Sequence, residues 1–203
     1  LNGAFAFCIY DKKNNKSFFA RDRFGQKPIF FWKQGDDFLF SSEIKSFFKC
    51  GYSAEPNIGM WRNYLTQAET DNSRETFFKD IFQLLPGEYA TFNSSSLQIK
   101  NWYNLSDRVK QLENSNINYD ELTTRLSKSV ELCLRADASQ GISLSGGLDS
   151  NILLYLSLNI LKKNIDTYSV EFGKSFSEKE LFEKSVKKYQ VKNDLVDYNV
   201  SDF

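Results

Sequence analysis

Gly141-Ile142-Ser143-Leu144-Ser145-Gly146-Gly147-Leu148-Asp149-Ser150 is the stretch that decides the fold. Its first four residues read as a short buried strand, the next six as a turn of small residues, and residues 151–162 as an apolar helix. An alternating strand follows at residues 167–172. Ser177, with Glu180 three residues on, opens a helix carrying Phe182, Val186 and Tyr189, and a last strand is expected at residues 195–200. Strands and helices alternating in this way predict crossover connections and a parallel α/β sheet.

The turn between strand and helix has what an anion needs. Gly146 and Gly147 allow a tight turn and close approach, Ser145 and Ser150 carry hydroxyl donors, and the following helix aims its unpaired amides at the turn. Asp149 is the odd member, because a carboxylate beside a polyphosphate is repelled unless a cation lies between them, which argues for Mg²⁺. The turn also lies where a strand of an open α/β sheet ends, the usual place for its ligands. It is neither GxxxxGKS nor GxGxxG, so Walker-type phosphate transfer and a dinucleotide fingerprint are both disfavoured. The plainer alternative is a structural strand-to-helix turn with Ser150 as the helix N-cap.

Upstream the pattern changes period. Short apolar runs at residues 4–10, 17–20, 29–32, 37–40, 88–92 and 97–99 read as strands, and the polar stretches 12–16 and 34–36 read as hairpin turns, so antiparallel pairing is expected. Residues 42–48 and 58–65 read as short helices, and Pro86-Gly87 forces a turn. Residues 101–118 are polar and aperiodic, and a domain boundary is placed there, dividing the chain into 1–107 and 108–203. After it, Asn118 and Glu121 form a cap-like start to a helix whose stripe, Leu122, Leu126, Val130 and Cys133, is expected to face a core.

Composition narrows the chemistry. Lys and Arg number 26, as do Asp and Glu, so the balanced charge gives no argument for a nucleic-acid or membrane-surface partner. No apolar run reaches the roughly 20 residues that span a bilayer. With no histidine, a Ser-His-Asp triad, a Cys-His pair and most transition-metal sites are excluded. The three widely spaced cysteines, Cys8, Cys50 and Cys133, suggest neither a disulfide framework nor zinc, and each is expected as a small core residue in a cytoplasmic protein. The cluster Arg21, Asp22, Arg23 and Lys27 is expected to form an internal ion-pair network or a domain interface. Because the chain starts without Met, it reads as a fragment.

The turn SGGLDS resembles the pyrophosphate-binding loop of the ATP pyrophosphatase superfamily. Leu1-Asn2-Gly3-Ala4-Phe5-Ala6-Phe7, Ala20-Arg21-Asp22-Arg23-Phe24-Gly25-Gln26-Lys27-Pro28, Phe40-Ser41-Ser42-Glu43-Ile44-Lys45 and Leu84-Leu85-Pro86-Gly87-Glu88-Tyr89 resemble, in that order, the later half of the glutaminase domain of asparagine synthetases. The resemblance implies a partial α+β antiparallel sheet sandwich of N-terminal nucleophile hydrolase type, followed by a partial α/β parallel sheet of ATP-pyrophosphatase type. It implies an ATP-dependent ligase in which an aspartate carboxylate attacks ATP to give an acyl-adenylate, and ammonia from glutamine then displaces AMP. Ser145, Gly146, Gly147, Asp149 and Ser150 would hold the β,γ-phosphates and magnesium, with Asp149 on the metal, while Leu144 and Val170 would meet the nucleoside through backbone groups. ATP and Mg²⁺ are thus the implied cofactors, glutamine and aspartate or another carboxylate the substrates, and a homodimer a further expectation. The family's nucleophile cysteine precedes the stretch present here. Where relatives commonly show Asp-Val-Pro-Val-Gly, this chain has Asp137-Ala138-Ser139-Gln140-Gly141, which bears on the acceptor rather than on ATP. A paralogue amidating another carboxylate, a lactam-forming relative and an inactive scaffold piece are the competing readings.

Overall fold

The computed structural model describes residues 1–94, 96–112, 118–173 and 177–198. The chain divides into two compact units, Leu1–Ser115 and Asn116–Phe203. The helix α3 (Leu105–Lys110) spans the position expected for the boundary, between residues 107 and 108. Residues 113–117 of the expected linker lie outside the described residues.

In the first unit, strands β1 (Ala6–Asp11), β2 (Lys16–Arg21), β6 (Glu88–Asn93) and β7 (Ser96–Asn101) form one antiparallel sheet in the order β1-β2-β6-β7. A second antiparallel sheet has the order β4-β3-β5, from β3 (Phe30–Gln34), β4 (Asp37–Ser41) and β5 (Phe82–Gln83). Both expected hairpins form for the reasons their sequences suggest. The first is closed by Asp11, whose Oδ1 accepts from the amides of Lys13 (3.0 Å) and Asn14 (3.3 Å), and the second turns at Gly35, with φ +58°. The expected helices are α1 (Lys45–Lys49) and α2 (Ile58–Gln67).

Aromatic side chains join the two sheets. Phe19 of β2 meets Phe40 of β4 at 4.7 Å between ring centroids, and Phe38 of β4 stacks on Phe92 of β6 at 4.5 Å. Around them Phe19, Ile29, Leu84 and Ala90 form a buried cluster, against which Cys8 packs. Cys8 is therefore the small core residue expected, and burial raises its thiol pKa. Cys50 and Cys133 are exposed, contrary to expectation. Cys50 is the C-cap of α1, just before the chain turns at Gly51 (φ +90°), and Cys133 ends a helix that is covered only in part.

Within the charged cluster, the side chains of Arg21 and Asp22 act on backbone rather than through ion pairs, while Arg23 donates to the Asn2 side chain and lies over the Tyr103 ring. Arg21, 8% exposed, donates from Nε to the Lys27 carbonyl (2.9 Å), from Nη1 to the Leu84 carbonyl (2.5 Å) and from Nη2 to the Gly25 carbonyl (2.8 Å). The Asp22 side chain, 1% exposed, accepts from the amides of Phe5 (3.3 Å), Phe24, Gln26 and Lys27 (3.0 Å each). The carbonyl of Asp22 accepts from Gly87 N–H (2.9 Å), and Gly87 has φ +71° with no room for a Cβ, which would lie 2.5 Å from the Tyr103 carbonyl oxygen. A buried guanidinium and a buried carboxylate thus satisfy loop groups that no strand reaches, tying residues 21–27 to the turn at 84–87. The ion pair that does form here is Arg74 with Glu88, bidentate at 2.9 and 2.8 Å, with Glu88 also accepting from Leu85 N–H (2.7 Å).

The second unit has a parallel sheet, β10-β9-β8, from β8 (Gly141–Ser143), β9 (Asp166–Glu171) and β10 (Asn193–Asp197). The strand expected at 195–200 is thus β10, and residues 199 and 200 of it lie outside the described residues. Helices α5 (Leu148–Tyr155) and α6 (Lys179–Tyr189) contribute Leu154 and Phe182 to a core with Ile142, Leu144 and Ile165. The helix expected over 151–162 starts earlier, at Leu148, and continues as a π-helical segment, Leu156–Ile160. Ser177 is not the cap of α6. Glu178 occupies the N-cap position without a side-chain cap bond, while Ser177, one residue earlier, accepts at Oγ from the first helical amide, Lys179 N–H (3.3 Å), and donates its hydroxyl to Glu171 Oε2 (2.9 Å).

Helix α4 (Tyr119–Cys133) starts as its sequence indicates, with Asn118 Oδ1 accepting from the amides of Asp120 (3.0 Å) and Glu121 (3.1 Å). Its apolar stripe is only half covered: Leu122 is 47% and Leu126 41% exposed, and the buried residue is Ser127. Helical spacing gives a helix one apolar face, but only a neighbouring element buries it, and among the described residues α4 packs mainly against the π-helical segment, over a limited patch. Replacing Asn118 by Ala should therefore cost about 1 kcal/mol, the usual value of such a cap, read as a small drop in the denaturation midpoint of this unit. No helix among the described residues is long and apolar enough to cross a membrane.

Candidate functional site

The site is built at the end of β8. Leu144, 1% exposed, continues the strand: its amide donates to the Tyr168 carbonyl (2.7 Å), and its carbonyl accepts from the buried Ser169 hydroxyl (2.7 Å). The amide of Leu144 is committed to the sheet, and its carbonyl oxygen keeps a second lone pair. Val170 lies on β9, paired with Val196 of β10, and is 42% exposed on the sheet face opposite the buried Thr167 and Ser169.

From Leu144 the chain turns through Gly146, with φ +80°, to Gly147, the N-cap of α5. The N-cap is therefore Gly147 and not Ser150, because the helix starts inside the six-residue turn. Asp149 and Ser150 sit in its first turn. The amides of Leu148, Asp149 and Ser150 have no acceptor within the helix, so they and the positive end of the helix dipole are directed at the turn. Ser145 is exposed, and its Oγ accepts from Gly147 N–H at 3.3 Å. Ser150 is 9% exposed, with its hydroxyl donating to the Gly147 carbonyl (3.1 Å) and lying 3.3 Å from Ser145 Oγ. Five of the expected residues, Ser145, Gly146, Gly147, Asp149 and Ser150, thus form one continuous turn, with Leu144 at its base and Val170 on the next strand.

Asp149 is exposed, and its carboxylate contacts no hydrogen-bonding or charged partner among the described residues. Nor do three or more Asp, Glu, Cys or His side chains gather among them in a metal-binding cluster. A single free carboxylate suits Mg²⁺, which takes one or two protein carboxylates and completes its shell with water and phosphate oxygens, better than an ion that needs a full protein cage.

Asn151, Ser185 and the start of α6 also belong to this site, although the motif does not include them. The Asn151 side chain donates to the carbonyls of Gly146 and Gly147 and accepts from Ser185. Gly146 abuts α6 so closely that a Cβ would lie 2.5 Å from Leu181 Cβ and 2.7 Å from Phe182 N. An amide side chain directly after SGGLDS was the available signal for the first; the other contacts arise from chain crossing and leave no local trace.

Two family models match the chain: a glutamine amidotransferase domain over residues 1–103 and asparagine synthase over residues 121–203. Among curated relatives, glutamine-hydrolysing asparagine synthetase 2 of Bacillus subtilis is 32% identical, the match taking in 86% of this chain and 25% of that protein. Asparagine synthetase 3 of the same organism is 31% identical, over 85% of this chain and 29% of its own length. The amidase chyE of Penicillium rubens is 28% identical, over 80% of this chain and 24% of that protein. The chain therefore spans about a quarter of the length of these relatives.

Proposed function

Because the chain belongs to the asparagine synthetase family, we propose that it is part of an ATP-dependent, glutamine-using ligase that forms an amide from aspartate. In this reading residues 1–107 are part of the glutaminase domain and residues 108–203 part of the synthetase domain, and the enzyme works in the cytoplasm. ATP activates the aspartate side-chain carboxylate as an acyl-adenylate with release of pyrophosphate, and ammonia derived from glutamine then displaces AMP.

The observation that carries the reading is the turn 145–150, which sets unpaired amides at the start of α5 beside one free carboxylate. The role of Ser145, Gly146, Gly147 and the first amides of α5 is to bind the β,γ-phosphates and stabilise the charge that grows on the leaving pyrophosphate. Asp149 holds Mg²⁺, which screens the phosphates from its own carboxylate. Leu144, through its free carbonyl lone pair, and Val170 contact the nucleoside.

Titration calorimetry of MgATP into the chain tests this. Wild type should bind in a magnesium-dependent way, and Asp149→Ala should bind about 10- to 100-fold more weakly, the range expected for one charged contact. A folded wild type that takes up no MgATP would sink the reading and leave an inactive scaffold in its place.

A second reading, a paralogue that amidates another carboxylate or closes a lactam ring, is favoured by the stretch 137–141. There the family resemblance implies a proline that this chain lacks, and the Gln140 side chain donates to the carbonyls of Ala136 (3.3 Å) and Ala138 (2.5 Å). Pyrophosphate release that depends on a carboxylate other than aspartate would decide for it.

A further inference from the structure

We propose that Asn151 is a positioning residue that sets which way the peptide groups of the turn point, and that Ser185 of α6 holds it in that role; this rests on the phosphate-binding reading above. Asn151 Nδ2 donates to the carbonyl oxygens of Gly146 and Gly147, both at 2.9 Å, and its Oδ1 accepts from Ser185 Oγ at 2.5 Å. The assignment of the two ends is fixed by chemistry, since carbonyl oxygens only accept and must face the NH₂ group.

The consequence follows from the planar trans peptide, in which C=O of one residue and N–H of the next point in opposite directions. Drawing the Gly146 carbonyl toward Asn151 turns Gly147 N–H away from it; the Gly147 carbonyl is drawn the same way by Asn151 together with the backbone N–H of Asn151 (3.2 Å) and the Ser150 hydroxyl (3.1 Å), which turns Leu148 N–H away. Of these two amides, Leu148 N–H has no acceptor within the helix, and Gly147 N–H is held only by Ser145 Oγ at 3.3 Å, a long bond that an anion can replace. Glycine peptides flip at little cost, and a flipped one would present a carbonyl oxygen to the phosphate instead. At the Gly146–Gly147 peptide, whose carbonyl accepts from Asn151 and from no other donor among the described residues, Asn151 thus sets the sign of the potential that the turn presents. Ser185, 9% exposed and on a different helix, supplies the hydroxyl that keeps the amide from rotating.

The test uses Asn151→Leu, which keeps the volume and removes both donors, with Ser185→Ala and Ser185→Thr, each titrated with MgATP and melted. Asn151→Leu should bind about 30-fold more weakly, as loss of two neutral hydrogen bonds allows. Ser185→Ala should lose several-fold, Ser185→Thr should recover wild-type affinity, and the melting points should stay within a few degrees of wild type. Wild-type affinity in Asn151→Leu overturns the proposal. So does a loss in Asn151→Leu that follows its melting point while Ser185→Ala binds normally, because the role is then structural only. A wild type that binds no MgATP overturns the phosphate-binding reading itself, an outcome separate from the other two.

Discussion

Asp22→Ala should lower the stability of the first unit by about 4 kcal/mol, because four amides that now donate to a buried carboxylate would be left without acceptors. The loss would spread beyond one loop. Those amides come from Phe5 and from Phe24, Gln26 and Lys27, and the same loop receives Arg21, whose guanidinium reaches on to Leu84. Trp102 is a built-in reporter, since its indole N–H donates to the Arg21 carbonyl (3.1 Å), so urea unfolding followed by tryptophan fluorescence should register the change. Asp22→Asn, which keeps one acceptor oxygen, should lose less. The carboxylate also sets an acid limit. Burial raises the Asp22 pKa, but the hydrogen bonds from Lys27, Gln26, Phe24 and Phe5 outweigh it and hold the carboxyl below the usual carboxylate range. A depressed folded value means that its contribution is complete above about pH 4, where the unfolded group is also ionised, and is lost as pH falls through the lower folded value. Wild type should therefore destabilise more steeply below pH 4 than Asp22→Asn. Equal stability of Asp22→Ala and wild type at pH 7 would show that the loop is not held from this side chain.

What the sequence made legible here was local chemistry with a fixed offset. Asp11 with the polar run after it, and Gly35 between two apolar runs, mark hairpins because turn geometry needs those residues. Asn118 marks the start of α4 for the same reason, and the small residues from Ser145 to Gly147 mark the end of β8. Contacts between distant segments were not legible. Strand β5 is two residues long, too short to show a period, and exists because Phe31 and Phe82 can pair across a gap of some fifty positions. The roles of Arg21 and Asp22 were missed because opposite charges adjacent in sequence suggest ion pairs, whereas each side chain turns to loop backbone. The stripe of α4 predicts which side of the helix is apolar and says nothing of whether an element covers it, so Leu122 and Leu126 stand half exposed. In the candidate site the motif was readable, but its brace from Asn151 to Ser185 spans two helices.

The two glycines of that motif should respond very differently to the same substitution. Gly147 has φ −67° and ψ 168°, open to any residue, and a Cβ there would meet only Ser145 Oγ at 3.3 Å, a neighbour on an exposed side chain. Gly147→Ala should cost no more than about 1 kcal/mol, the difference between Gly and Ala at a helix N-cap. Gly146 has φ +80°, which costs an L-residue about 1–2 kcal/mol before any contact is considered. Its Cβ would also lie 2.7 Å from Phe182 N and 2.8 Å from Leu181 C, both backbone atoms of α6 that no rotamer change can move. Helix α6 would have to shift away, and with it Phe182, 1% exposed at the centre of the core. Overpacking of this kind adds about 1–3 kcal/mol, so Gly146→Ala should cost about 3 kcal/mol in all. For a unit of this size that corresponds to a melting point lower by more than about 10 °C. Moving α6 also carries Ser185 away from Asn151, so MgATP affinity should fall along with stability in Gly146→Ala. Equal melting points for the two alanine variants would mean that the turn does not rest on α6, and the link from the core to the amides of the turn would then be broken at its first step.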